Sequence, residues 1–352
     1  MSRAAMRVLY VGSGSGTCQS RLRSLRSLES DVHFLDIDPA RETLGRLGRF
    51  LGRSLFVGPT HRRRNQDFVA RVNEIEPHVV WVDKSVWVWP ATLRHARRRG
   101  AFLVHHFTDA IHPRHAATWW SFHLLRRSLP LYDLNFTTNI DDVEHLRRRG
   151  VTVELTHLAY DSDRFDDRPL PAAEAAAWSR DVVFIGHHEP RTERFMWALL
   201  DAGLPLTVFG WGWGRSAMAR FYPAAVRDGQ ISDEDYIKAI KGARIALCCV
   251  SEMNYNQTAA RSYEIPACGT FLLAMRTPQH LESYREGQEA EFFSTPAELV
   301  DKVRRYLADE PLRQRVALAG WRRCTGDDYS WNRYMRTDWG KVLERLAAQR
   351  RA

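Results

Sequence analysis

The sequence predicts an α/β protein made of two Rossmann-like halves in tandem. Three observations carry that expectation. Strand-like apolar runs alternate with helical stretches from one end of the chain to the other. The runs are near-continuous in Val, Ile, Leu and Phe, and the alternation breaks once, near the middle, in a Pro- and Ala-rich tract. Strands that are apolar on both sides and separated by helices imply a parallel sheet covered on both faces. A chain of 352 residues also exceeds one ordinary core, so two domains are the default.

In the first half, expected as a domain over residues 1–165, the strand runs are Arg7–Val11, Val32–Ile37, Val79–Asp83, Phe102–His106, Leu134–Thr138 and Val151–Thr156. Helical stretches lie between them, and Gly100 and Gly150 stand at helix ends as C-terminal caps. "DDRPLPAAEAAAWSR", Asp166–Arg180, breaks the pattern with two prolines and alanines and reads as the interdomain linker. The second half, 181–329, repeats the alternation with runs Val182–Ile185, Leu206–Phe209, Ile245–Val250, Phe271–Ala274 and Ala290–Phe293. Within it "SDEDYIKAIKGA" is a well-signalled helix, with Ser232 as N-cap, acids in the first turn and Lys241 near the end. "YSWNRYMRTDWGKVLERLAAQ" reads as a long amphipathic terminal helix. Ligands of such sheets sit at the carboxyl ends of strands, and the cleft between halves is the expected site.

Composition agrees with a soluble globular protein, at 44% hydrophobic and 26% charged residues. No apolar run approaches a bilayer span, and the N-terminus enters a strand directly, without the pattern of a leader. Five cysteines in no framework spacing point to a reducing cytoplasm, with Cys248-Cys249 as core packing. The net charge of +9 comes almost wholly from arginine, in blocks such as "HRRR", "HARRRG" and "HLRRRG" on or next to predicted helices. Solvated helix faces account for such blocks; a polyanionic partner or a peripheral contact with an anionic membrane are the alternatives. No nucleic-acid partner is expected, and the charge leaves the oligomeric state open.

"VLYVGSGSGTCQSRL" followed by "VHFLDID" imitates a cofactor fingerprint: strand, glycines at 12, 14 and 16, helix, then Asp36 or Asp38 ending the next strand. A nicotinamide dehydrogenase or an S-adenosylmethionine-dependent methyltransferase would use such a turn. The spacing is G-x-G-x-G, however, not G-x-G-x-x-G, and any tight strand-to-helix turn needs small residues.

"NQTAARSYEIPACGTFLLA", Asn256–Ala274, sets Thr258, Arg261 and Glu264 at i, i+3 and i+6 ahead of a short apolar strand. On a helix these turn toward one side, where the helix N-terminus and the Arg261 guanidinium suit a phosphate. A carboxylate one turn later would repel that phosphate, so Glu264 needs another partner, and the two hydroxyls of a ribose serve. Together the residues suit a nucleotide diphosphate. An Arg–Glu pair on an exposed helix face is the competing explanation.

Around this core the second half resembles the CgeB-like (spore-maturation type) glycosyltransferases, relatives of the group-1 retaining glycosyltransferases with the GT-B fold. The matching segments include "DVVFIGHHEPRTERFMWALLDAGLPLTVFGWGW", "DYIKAIKGARIALCCV" and the stretch from "NQTAARSYEIPACGTFLLA" onward; "EPHVVWVDKSVWVWPATLRHARRRGAFLVHHFTDA" matches in the first half. The resemblance implies two Rossmann-like domains facing each other across a cleft, with an N-terminal acceptor-binding and a C-terminal donor-binding domain. By analogy with the fold, the terminal helix 330–352 crosses back onto the first. Glu264 then matches the second glutamate of the family's Glu-x7-Glu motif, which holds the ribose, with Arg261 and Thr258 beside the donor diphosphate. The first glutamate falls where this chain has Asn256, an amide that hydrogen-bonds a hydroxyl but carries no charge, so the stereochemical outcome stays open.

The resemblance turns "GHHEPR", Gly186–Arg191, toward the donor phosphates, with His187 or Arg191 as contacts, against the alternative of a solvated loop. It puts "FGWGWG", Phe209–Gly214, beside the nucleobase, where Trp211 or Trp213 would stack, against plain core packing. It implies a nucleotide-diphosphate sugar as co-substrate with no cofactor, and a departing diphosphate stabilised by cations and a helix N-terminus, not by a metal. The acids of "DID", 36–38, read as turn chemistry, and His105, His106, His112 and His115 fit no standard zinc spacing. On the acceptor side Asp109 lies just past a strand end, and Asp109 or His106 is the candidate general base if transfer inverts the anomeric carbon. Gly14, Trp87 and Trp119 are candidate acceptor contacts, with Trp89 and Trp120 flanking the same loops and core burial as the alternative for each tryptophan. A catalytically inactive nucleotide-sugar-binding protein of the same fold is a further reading, kept open by Asn256.

Overall fold

The computed structural model describes residues 6–36, 56–111, 122–252 and 254–351. These form two compact units, 1–157 with 331–352 and 158–330. In the first, β1 (Val8–Gly12), α1 (Gly16–Leu28), β2 (Val32–Asp36), α2 (Pro59–Ile75), β3 (Val79–Asp83), α3 (Pro90–Arg98), β4 (Phe102–Phe107), α4 (His123–Ser128), β5 (Leu134–Thr137), α5 (Ile140–Arg147) and β6 (Val153–Leu155) follow in order. The six strands are all parallel, in the order β2-β1-β3-β4-β5-β6. Alternate side chains serve two cores: Val8, Tyr10, Trp81 and Phe136 pack on one face, Leu9, Val11, Val80 and Val82 on the other. Gly100 and Gly150 end α3 and α5 as expected. Each has φ above +70°, and the residues after them close the 6→1 bonds Ala101 N to Ala96 O and Val151 N to Leu146 O.

The second unit continues with α6 (Ala172–Trp178), β7 (Arg180–Ile185), α7 (Pro190–Asp201), β8 (Leu206–Gly210), α8 (Ala217–Phe221), β9 (Val226–Asp228), α9 (Asp233–Lys241), β10 (Ala243–Cys248), α10 (Arg261–Ala267), β11 (Phe271–Met275), α11 (Pro278–Ser283), β12 (Glu291–Phe293), α12 (Pro296–Ala308) and α13 (Glu310–Gly326). Its parallel sheet runs β12-β11-β10-β7-β8-β9, the doubly wound order whose direction reverses between β7 and β10. The tract expected as a linker lies inside this unit. Its alanines form α6, tied to α9 by Glu174–Lys238 at 3.1 Å, and Asp166 pairs with Lys241 at 2.5 Å. Ser232 caps α9 as expected, accepting from the Asp235 amide at 3.1 Å.

The terminal helix α14 (Trp331–Gln349) belongs to the first unit, where Met335, Trp339, Val342 and Leu346 join the core under α1. Trp339 donates its indole N–H to Glu29 at 2.9 Å, and Thr156 donates to Asp338 at 2.6 Å. Among the described residues no helix is long and apolar enough to cross a membrane.

Candidate functional site

The switch point between β7 and β10 brings two loops together at the carboxyl ends of the second unit's strands. Glu189, the residue before α7, is buried and ties them. Its carboxylate accepts from the Ser251 hydroxyl at 2.6 Å and the Glu252 amide at 3.0 Å, and it meets His187 Nε2 at 2.8 Å. Burial pushes this carboxyl up, but those donors outweigh it and hold it down at about 2. Arg191 completes the link by donating to the Val250 carbonyl at 2.8 Å. Arg191 is therefore spent on a backbone carbonyl of the neighbouring loop, and His187, largely exposed, is paired with Glu189.

Beside these loops lies a pocket of about 510 Å³, bordered by Gly186, His187, Gly210, Trp211, Gln230, Ile231, Tyr236 and Arg261. Two glycines let its walls pack closely. Gly210 has φ +140°, and a Cβ there would stand 2.1 Å from the Gly186 carbonyl oxygen. A Cβ on Gly186 would fall 2.9 Å from the Phe184 ring and 3.4 Å from Arg261 Nη2. The two tryptophans of "FGWGWG" part company. Trp211 is 74% exposed at the pocket's edge, whereas Trp213 is 0% exposed in the core, edge-on to Phe184, and donates its indole N–H to the Gly186 carbonyl at 2.8 Å. Trp213 thus holds the pocket's backbone and is not available to stack on a base, because its ring is enclosed by the unit's core.

The stretch 256–274 folds differently from the two-turn helix expected. α10 begins only at Arg261, so Asn256 and Thr258 lie in the loop before it. Thr258 is buried, and the seven-residue helix carries no extended N-terminal site. Arg261 and Glu264 remain neighbours at i, i+3. The Arg261 guanidinium lies 5.8 Å over the Phe184 ring and borders the pocket, and its Nε is buried without a hydrogen-bond partner. Burial pulls its pKa down, but Tyr236, Cys248 and Glu264 raise it further, so the group is a fixed cation. Glu264 is only 8% exposed and accepts a 2.5 Å hydrogen bond from the Tyr236 hydroxyl, so its partner is a phenol and the exposed Arg–Glu face does not form. Burial pushes its carboxyl up to about 7, against the pull of Tyr236 and Arg261. Neither Glu189 nor Tyr236 stands out in the sequence: one reads as the residue before a helix proline, the other as a helix apolar position.

In the first unit the acceptor-side candidates disperse. His106 is sealed in β4, in register with Asp83 and walled by Trp81, Phe136 and Trp331. Burial first, then Arg21, drives its pKa well below the usual value. Asp83 accepts from Arg21 Nε at 2.7 Å and Nη2 at 2.8 Å and from the Tyr10 hydroxyl, so this end of the sheet is closed by an internal charge network. An enclosed neutral imidazole has no route to a substrate proton, and His106 is not placed as a general base. Asp109 does lie past β4, half-buried, in a loop held by Ile111 N to Asp142 at 2.7 Å. Trp87 is 5% exposed in the core beneath Arg64, so it offers no wall to an acceptor. The Gly14 amide donates to Asp36 at 3.3 Å, and a Cβ there would meet that carboxylate at 2.8 Å, so Asp36 packs on the glycine turn itself. Trp119, Trp120, His112, His115 and Asp38 lie outside the described residues. Among the described residues no three of His, Cys, Asp and Glu converge as metal ligands.

Residues 191–337 match the family model described as "Glycosyl transferase-like". No curated protein matches the chain in sequence. Solved structures that resemble it include sucrose-phosphate synthase from Thermosynechococcus elongatus, with a TM-score of 0.69 at 14% identity over 98% of this chain and 100% of that one. HepE of Anabaena in complex with UDP-glucose has a TM-score of 0.66 at 11% identity, over 97% of this chain and 100% of that one. AviGT4, a glycosyltransferase involved in avilamycin A biosynthesis, has 0.61 at 16% identity, over 97% and 98%. At such identities the likeness speaks for the fold, and with the two parallel six-stranded sheets it shows the GT-B fold.

Proposed function

We propose that the protein is a CgeB-like glycosyltransferase that moves a sugar from a nucleotide-diphosphate sugar to an acceptor hydroxyl without a metal ion. The observation that carries this reading is Arg261: a half-buried arginine whose enclosed Nε has no partner, bordering a pocket at the switch point of a doubly wound sheet, within the segment that matches a glycosyltransferase-like family. HepE, solved with UDP-glucose, supports the donor class.

In this reading the second unit binds the donor and the first the acceptor. The bond between the sugar's anomeric carbon and the diphosphate oxygen breaks as the acceptor oxygen attacks. The departing diphosphate gains negative charge, and Arg261 is a fixed cation placed to stabilise it. The glycines at 186 and 210 let the ends of β7 and β8 pack closely at the pocket's edge, and Trp211 offers an exposed face for the nucleobase. If transfer inverts, Asp109 takes the acceptor's proton; if it retains, the departing diphosphate oxygen takes it and Asp109 only positions the acceptor. All five cysteines are free and buried, which supports a reducing, cytoplasmic setting.

Calorimetric titration with UDP, GDP, dTDP, S-adenosylmethionine and NAD tests the reading. A nucleoside diphosphate is expected to bind, and Arg261→Ala to weaken it by roughly tenfold or more, the scale of a charge-assisted hydrogen bond. Binding of S-adenosylmethionine alone would end the glycosyltransferase reading. Nucleotide-sugar binding without hydrolysis or transfer would leave a binding protein of this fold.

A further inference from the structure

Helix α10 starts without a capping side chain. Its N-cap position is Ala260, which has no oxygen to offer the first free amides. Arg261 opens the helix, and its Nε has no hydrogen-bond partner, so its aim depends on how the chain around it is held. The hold comes from α11, which contributes no residue to the pocket's border. The Thr277 hydroxyl, at the N-cap of α11, donates to the Gln257 carbonyl at 2.6 Å, and the Gln279 amide donates to Gln257 Oε1 at 3.2 Å. Ser262, buried and next to Arg261 in the chain, meets His280 Nε2 at 2.7 Å. Its carbonyl accepts from the Tyr284 hydroxyl at 2.9 Å. The loop before Arg261 and the residue after it are thus fastened to one short segment, 277–284.

Chemistry sets the direction of each bond. His280 is sealed in the unit, and burial lowers its pKa to about 4, so the ring is neutral near pH 7. Its Nδ1 faces the Met275 carbonyl at 2.6 Å, and a carbonyl only accepts, so Nδ1 carries the ring's proton. Nε2 is then an acceptor, and the Ser262 hydroxyl donates to it. The hydroxyl's lone pairs remain for the Ala259 amide, which donates at 3.0 Å and closes the turn ahead of Arg261. Resting on the reading of Arg261 as the cation of a nucleoside diphosphate site, we propose that His280 and Thr277 are positioning residues for it. They hold the turn 257–262 so that the guanidinium stays at the pocket's border. Neither touches the ligand, and each acts through Arg261.

The test is a double-mutant cycle read by calorimetric titration with UDP, GDP or dTDP, whichever binds. His280→Leu is expected to weaken binding by about threefold to tenfold, and by no more than Arg261→Ala does. In the Arg261→Ala background the same substitution is expected to leave the remaining affinity within about twofold. His280→Gln, whose amide oxygen still accepts from Ser262, is expected to restore most of the affinity. Thr277→Val against Thr277→Ser repeats the comparison at a half-buried position should His280→Leu fold poorly. A merely structural role would lower the urea midpoint in both backgrounds and show no coupling in affinity. Full affinity in both His280→Leu and Thr277→Val, or equal losses with and without Arg261, would overturn the assignment and leave the nucleotide site standing. Failure of the wild type to bind any nucleoside diphosphate would overturn both.

Discussion

At the scale of single residues, Glu264 carries the most testable chemistry. Its carboxyl stands at about 7 in the folded chain against 4.5 for an unperturbed glutamate, chiefly because burial disfavours the ion. The folded state therefore holds a proton that the unfolded chain has released once the pH passes 4.5. The stabilisation from this group is complete below that pH and is lost as the pH rises through about 7. Glu264→Gln is expected to flatten that part of the profile, leaving melting temperatures near pH 5 little changed and raising them near pH 8. Equal slopes in both proteins between pH 5 and 7.5 would show that Glu264 titrates normally. Glu264 and Arg261 stand out in the sequence because they precede a short apolar strand in a stretch that resembles a nucleotide-sugar motif. Tyr236 does not, because a tyrosine among Ile240, Ala239 and other helix apolar positions reads as packing.

At the scale of elements, α14 does the most for one unit with the least local support. It is amphipathic, and its buried stripe Met335–Trp339–Val342–Leu346 completes the core face that α1 leaves open. Met335→Ala is expected to cost about 2–5 kcal/mol, the usual range for emptying such a site, read as a lowered urea midpoint with unchanged slope. Asp338 makes a separate contribution. It is buried, bonded by Thr156, and pushed up to about 7 by burial. Asp338→Asn keeps that acceptor and removes the ionisation, so stability at pH 8 should rise while stability at pH 5 stays level. A loss at both values would mean that the carboxylate itself is needed. Elements were largely legible from sequence because in a sheet covered on both faces each strand is a continuous apolar run. The same property hid the site. His106 and Trp87 look functional by position, yet a two-sided core buries both. β9, three residues at a sheet edge and mostly exposed, left no apolar run to read.

At the scale of the whole molecule, the chain is two units, each with its own parallel sheet and its own core, and the proposed donor residues all fall within 158–330. A ligand stabilises only the state that holds its site, by about 2.7 kcal/mol when present at a hundred times its dissociation constant. In a multidomain chain that energy need not spread to every element, since cooperative units open separately. Hydrogen exchange with and without saturating nucleoside diphosphate makes the division measurable. Amides of β7, β10 and β11 that exchange only through opening of the second unit are expected to slow by up to about a hundredfold. Those of β1, β3 and β4 are expected to keep their rates. Slowing of both sets by one factor would mean that the units unfold as one cooperative body. Slowing confined to β1 and the glycine turn would move the nucleotide to the first unit, and the role proposed for Arg261 would fall with it.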